Sequence, residues 1–141
     1  MEKYICEQYE ETMNINNFWN DVIKQNRDAL PSYFCDDAQI LWHCTNEAFN
    51  VEEYVIANCD YHGKWNGKIE KIIEMDSQII LVGRVYSVED DLSCHVTSFI
   101  KLKDGKILEM SEYWADDGVA PSWRKKLGIG KAIQPKMRES L

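Results

Sequence analysis

Residues 93–114 read SCHVTSFIKLKDGKILEMSEYW. Two runs of alternating side chains flank Asp104-Gly105, and Asp-Gly in that setting is a strong hairpin signal, because a two-residue type I′ turn needs φ > 0 twice. The stretch therefore reads as two strands, 93–103 and 106–114. With no irregularity, the loop sets the register: Lys103 faces Lys106, Lys101 faces Leu108, Phe99 faces Met110, Thr97 faces Glu112 and His95 faces Trp114. Side chains alternate along a strand, so these residues share one face. A carboxylate and an imidazole, Glu112 and His95, then stand among Phe99, Met110 and Trp114. Apolar walls with a few convergent polar groups suit a small-molecule pocket, although a solvated outer face with scattered aromatics would read the same way. The opposite face would carry Val96, Ser98, Ile100 and Leu102 against Tyr113, Ser111, Glu109 and Ile107.

Working outward, the preceding residues supply two more strands, 65–75 and 78–88, separated by a tight Asp76-Ser77 turn. Upstream of these, Asn50 with Glu53 three residues on forms a near capping box. Val51, Tyr54, Val55 and Cys59 make the apolar stripe of that helix, Gly63 stops it, and His62 falls in its last turn, where it would partner the helix dipole. Residues 38–44 (AQILWHC) read as a strand with Ile40, Trp42 and Cys44 on one face. Asp28 reads as the N-cap of a short helix with Pro31 in its first turn, broken by Asp36-Asp37. From Asn14, the apolar residues Ile15, Phe18, Trp19, Val22 and Ile23 fall on one stripe of an amphipathic helix ending near Asn26. The domain thus spans 14–117, between a polar lead-in at 1–13 and an irregular arm at 118–141. Helices followed by a meander of long strands define an α+β fold.

At 141 residues the chain makes one domain, and its 45% hydrophobic and 28% charged content is that of a soluble globular protein. A formal net charge of −8 argues against nucleic acid and anionic membrane as partners. No apolar run approaches the roughly 18 residues a bilayer span needs, and the acidic start MEKYICEQYEETM lacks a signal pattern, so a cytoplasmic protein is expected. Five cysteines (Cys6, Cys35, Cys44, Cys59, Cys94) show no CxxC spacing and are expected to be buried reduced thiols. His43, His62 and His95 share no metal-ligand spacing. Neither a metal nor a cofactor is expected.

The order of elements, with NRDALPSYFCDDAQI at 26–40 and KDGKILEMSEYW at 103–114, resembles the NTF2-like superfamily, in its SnoaL-like (polyketide cyclase and ketosteroid isomerase-like) branch. The resemblance covers roughly 14–117. It implies a cone: a curved antiparallel sheet wrapped around three N-terminal helices, with a deep pocket and commonly a homodimer. The isomerases' catalytic positions match Asn20, Trp42 and Phe99, none of which carries the required chemistry, so that activity is not expected. Aligned on Ile107-Leu108-Glu109, the cyclases' acid/base aspartate falls at Glu112. Desolvation by Trp114, Met110 and Phe99 would raise its pKa towards neutrality. The alternative is that Glu112 only bonds Thr97 or His95 across the strands.

The expected ligand-binding set is accordingly Trp19, Trp42, Thr97, Phe99, Met110 and Trp114, with Glu112 and His95 as the catalytic candidates. Trp19 reads equally well as plain core. The leading expectation is a domain that binds a small, largely apolar molecule. Its rivals are an isomerase, cyclase or dehydratase using Glu112 as general acid/base, and a dimerising association module without ligand. Ile100, Val96, Leu102, Ile107 and Tyr113 would form an apolar dimer face. In the arm, Trp123 would be buried as a lid or against a partner, with Arg124 paired to Asp116 or Asp117.

Overall fold

Helix α1 (Ile15–Ile23) begins where Asn14 accepts a hydrogen bond from the Asn17 N–H at 3.0 Å, and it buries Ile15, Phe18 and Ile23. A computed structural model describes residues 12–89 and 91–134. The lead-in expected at 1–13 therefore falls almost wholly outside the described residues. In place of a second helix there is a single 3₁₀ turn (Leu30–Tyr33), after which strand β1 (Phe34–Trp42) runs straight through Asp36-Asp37. The pair does not break the chain because both carboxylates point to solvent on an extended strand, while Phe34 and Ala38 turn inward. A short strand, β2 (Glu47–Phe49), folds back on β1 and had no periodicity long enough to be read.

Helix α2 (Val51–Cys59) carries the full capping box. Asn50 accepts from the Glu53 N–H at 2.8 Å, and Glu53 accepts from the Asn50 N–H at 3.0 Å. Its last helical residue is Cys59, so His62 lies beyond the helix, stacked on Tyr61. Strands β3 (Trp65–Met75), β4 (Gln78–Ser87), β5 (Ser93–Lys103) and β6 (Lys106–Asp116) follow, then a five-residue helix, α3 (Ser122–Lys126).

The sheet order is β2-β1-β6-β5-β4-β3, and it is mixed rather than wholly antiparallel, since β6 lies parallel to β1. Its concave face packs on α1 and α2 through Leu30, Phe34, Ile40, Tyr54, Leu81, Ile100, Ile107 and Met110. Trp19 crosses the inner face at Gly67 and Gly83, where an added Cβ would overlap the indole ring. Glycine is needed there for room rather than for backbone freedom. This is the expected α+β cone.

One correction matters for the site. Leu102 pairs with Ile107 and Lys101 with Glu109, leaving Leu108 as an extra residue in β6. That bulge slips the pairing by one, and a one-residue slip exchanges the faces. Glu112 pairs with Ser98 rather than Thr97, and Met110 with Ile100 rather than Phe99. Val96, Ile100 and Ile107 are therefore core residues, with Leu102 packed against them, and cannot form a dimer face; of the expected patch only Tyr113 lies outside.

The arm and the thiols also depart from expectation. Trp123 is 59% exposed, and Arg124 stacks over its ring instead of reaching Asp116 or Asp117. Cys44 is exposed and Cys35, Cys59 and Cys94 are only half-buried, so none of the described cysteines is a buried core thiol. Among the described residues, no helix is long and apolar enough to cross a membrane.

Candidate functional site: the mouth of the cone and the carboxylate behind it

The C-terminal ends of α1 and α2, the end of β1, the start of β3 and the rim of β4–β6 meet at one end of the cone. They enclose an open cavity of about 680 Å³. Side-chain amides tie the two helix ends together. Gln25 donates to the carbonyls of Asn58 (2.9 Å) and Tyr61 (2.8 Å), and Asn58 donates to the Val22 carbonyl at 3.1 Å. Trp65 is held across the opening by donating to the His62 carbonyl at 3.1 Å, with Tyr61 tilted against it. Trp42 and Trp114 line the inner part of this mouth.

Behind those two indoles lies Glu112, only 6% exposed. One carboxylate oxygen accepts from Trp42 Nε1 at 3.0 Å and the other from Ser98 Oγ. Trp114 Nε1 is buried and finds no well-formed bond, yet it lies near enough to favour the charged carboxylate. Burial is the larger influence and raises the Glu112 pKa; the Ser98, Trp42 and Trp114 donors oppose it. Beside it, burial drives the Tyr54 hydroxyl well above its ordinary range, with the Glu112 charge second and Cys59 third. The free space at Glu112 is about 10 Å³, walled by Phe18, Trp19, Tyr54 and Trp114. That is room for about one water molecule.

The expected site residues divide cleanly. Glu112, Trp42, Trp114 and Trp19 come together on the inner face, Trp19 as a wall of the small space. Met110 shares their face but is wholly buried core, lining neither cavity. Thr97, Phe99 and His95 lie on the other face, moved there by the Leu108 bulge. Phe99 packs edge-on to Tyr113 at 6.1 Å. His95 stands between Asp117 and Glu70, with 3.2 Å to the latter. It neither faces nor orients Glu112.

Asp117 is itself notable. Burial would raise its pKa, but donors from Ser93 and His95, the His95 charge and Arg84 together hold it below the usual carboxylate value. As site residues, sequence reasoning passed over Asp116, Asp117, Tyr61 and Trp65, which come from three element ends, those of β6, α2 and β3. Only Ser98 was recoverable, from the correct register. The described residues contain no group of three or more acidic, histidine or cysteine side chains arranged to hold a metal.

No family model matches the sequence, and no curated protein matches it either. Solved structures do. An NTF2-like protein of unknown function from Burkholderia xenovorans LB400 superposes with a TM-score of 0.68 at 18% identity, over 93% of this chain and 97% of that one. A Shewanella putrefaciens CN-32 protein classed with the SnoaL-like polyketide cyclases gives 0.62 at 10% identity, over 77% and 89%. A hypothetical protein of ketosteroid isomerase-like fold from Catenulispora acidiphila DSM 44928, solved in complex with trimethylamine, gives 0.62 at 12%, over 74% and 87%. The chain has the NTF2-like cone fold; at such identities the likeness establishes the fold and not an activity.

Proposed function

We propose that this chain is a ligand-binding domain that takes a small, largely apolar molecule into the mouth of its cone. The observation that carries this reading is the cavity of about 680 Å³ with Trp42, Trp65 and Trp114 in its walls. Concave, aromatic-lined spaces of this size are typical of small-molecule sites. A protein of the same fold in complex with trimethylamine agrees with such a role. We place the domain in the cytoplasm and pair it as a homodimer through the outer sheet face, where Phe99 and exposed Tyr113 lie. Light scattering on a dimer would give about 33 kDa, twice the 16.5 kDa chain.

General acid/base catalysis by Glu112 is the second reading, favoured by its burial and raised pKa. Against it, the carboxylate opens on space for about one water and is separated from the mouth by Trp42 and Trp114. A catalytic base must reach the proton it takes, directly or through one water. The test is a small-molecule screen read by tryptophan fluorescence, run on the wild type and on Glu112→Gln. Binding that persists in the variant supports a binder. A screen without hits against the folded protein would remove the proposal, and turnover lost in the variant would move the assignment to catalysis.

A further inference from the structure

We propose that the mouth selects an organic ammonium ion with an apolar body, a ligand class that follows from the cavity's lining and rests on the ligand-binding reading above. The lining contains three carboxylates, Asp91, Asp116 and Asp117, and no lysine, arginine or histidine. Arg84 pairs with Asp117 at 3.5 Å and His95 hydrogen-bonds it. Asp91 and Asp116, exposed at the rim of the mouth, have no hydrogen bond or ion pair from their carboxylates among the described residues.

Donor accounting points the same way. Both amide hydrogens of Gln25 are committed to the Asn58 and Tyr61 carbonyls, Ser93 gives its hydroxyl to Asp117 at 2.6 Å, and Trp42 and Trp65 give theirs to Glu112 and the His62 carbonyl. What remains presented to a ligand is the Asp91 and Asp116 carboxylates, aromatic faces, and the hydroxyls of Thr45 and Tyr61, which can accept as well as donate. An anion would meet the carboxylates of Asp91 and Asp116 with no lysine, arginine or histidine in the lining to offset them. A cation finds indole faces, the best side-chain partners for a positive charge, next to carboxylates.

Cys94, in the mouth wall, has its thiol pushed up to about 11, first by burial, which opposes any charge, and then by the nearby Asp117 and Asp116. The chain's formal net charge of −8 draws cations from a distance as well. A metal ion is the poorer occupant, because the described carboxylates do not converge into a ligating group.

The experiment compares phenyltrimethylammonium with its neutral isostere, tert-butylbenzene, by tryptophan fluorescence and by NMR shifts of the indole N–H groups. The variant is Asp91→Asn with Asp116→Asn. Asparagine tolerates the left-handed backbone of residue 91 (φ 54°), and circular dichroism checks the fold. The cation should bind about tenfold or more tighter than the isostere, and the double variant should remove most of that preference. Equal or tighter binding of tert-butylbenzene overturns the ammonium assignment and leaves the cavity a binding site. A preference for the cation that the double variant leaves intact overturns the part assigned to Asp91 and Asp116. Absence of binding by either probe overturns the binding reading itself.

Discussion

Trp42 and Glu112 are direct partners on the parallel strands β1 and β6, and the indole N–H donates to the carboxylate at 3.0 Å. The bond joins the closing strand of the sheet to its first, and it holds the ring that walls the mouth. A buried carboxylate is costly unless its oxygens are satisfied. Glu112 and Trp42 therefore position each other, the acid supplying an acceptor and the indole a donor.

Replacing Trp42 by phenylalanine keeps most of the apolar bulk and removes that donor. The expected loss is about 1–3 kcal/mol, the penalty for leaving a buried polar group unsatisfied. Trp65→Phe, whose N–H bond to His62 is exposed, should cost less. Urea unfolding of the two variants decides; equal losses would mean the Glu112 bond contributes nothing of its own.

Glu112 also sets a pH dependence whose sign can be worked out. Its folded pKa is raised, chiefly by burial, so between the unfolded value and the folded one the native state holds a proton that the unfolded chain has released. Stability from this group is full below the unfolded pKa and falls as pH rises through the folded one. Glu112→Gln cannot ionise and should lack this decline. The melting-temperature difference, variant minus wild type, should grow as pH rises from the ordinary glutamate range through the raised folded pKa. Asp117, with a lowered pKa, acts in the opposite direction but is common to both proteins and cancels in the difference. A flat difference would show that Glu112 does not titrate as its burial requires.

Gly83→Ala tests how tightly Trp19 is seated. The backbone there needs no positive φ, so alanine is otherwise acceptable, but its methyl would overlap the indole, with Cζ3 only 2.8 Å away. Overpacking of this kind costs about 1–3 kcal/mol. The loss should shrink when Trp19 is changed to leucine in the same chain. A Gly83→Ala protein as stable as the wild type would mean that the ring moves freely and Trp19 is not a fixed wall of the small space.

The fold was legible because its signals are local: the Asn14 stripe, the Asn50–Glu53 box and the Asp104-Gly105 turn each depend on neighbours a few residues away. The site was half legible for the same reason. Met110, Glu112 and Trp114 of β6 were placed on the correct face, whereas Ile107 before the bulge, and Thr97, Phe99 and His95 on β5, were not. The turn fixes pairing only at its own end, and nothing in Lys106-Ile107-Leu108-Glu109 announces an extra residue. Hydrophobicity could have warned of it, since Val96, Ile100 and Leu102 form the more apolar face of β5 and belong in a core. The mouth itself is assembled from ends far apart in sequence, such as Tyr61 and Asp117, and no spacing rule reaches across such distances.

The segment after β6 supplies the last test. Its apolar side chains Val119, Trp123, Leu127 and Ile129 are all more than half exposed, and among the described residues none beyond Asp117 lines the cavity. Helix α3 has five residues and no side-chain cap, too short to hold together without packing. The described part of the segment thus contributes no fully buried residue and no wall to the mouth, contrary to the lid expected from Trp123. A chain ending at Asp117 should keep its melting temperature within about 2 °C, since surface changes away from packed features are worth about 0.5 kcal/mol or less. Uptake of phenyltrimethylammonium should also be unchanged. Light scattering on the two forms completes the measurement: a dimer that survives truncation rests on the sheet, and one that dissociates rests on the arm. A fall in melting temperature at concentrations where both forms are monomeric would show that the segment packs on its own domain.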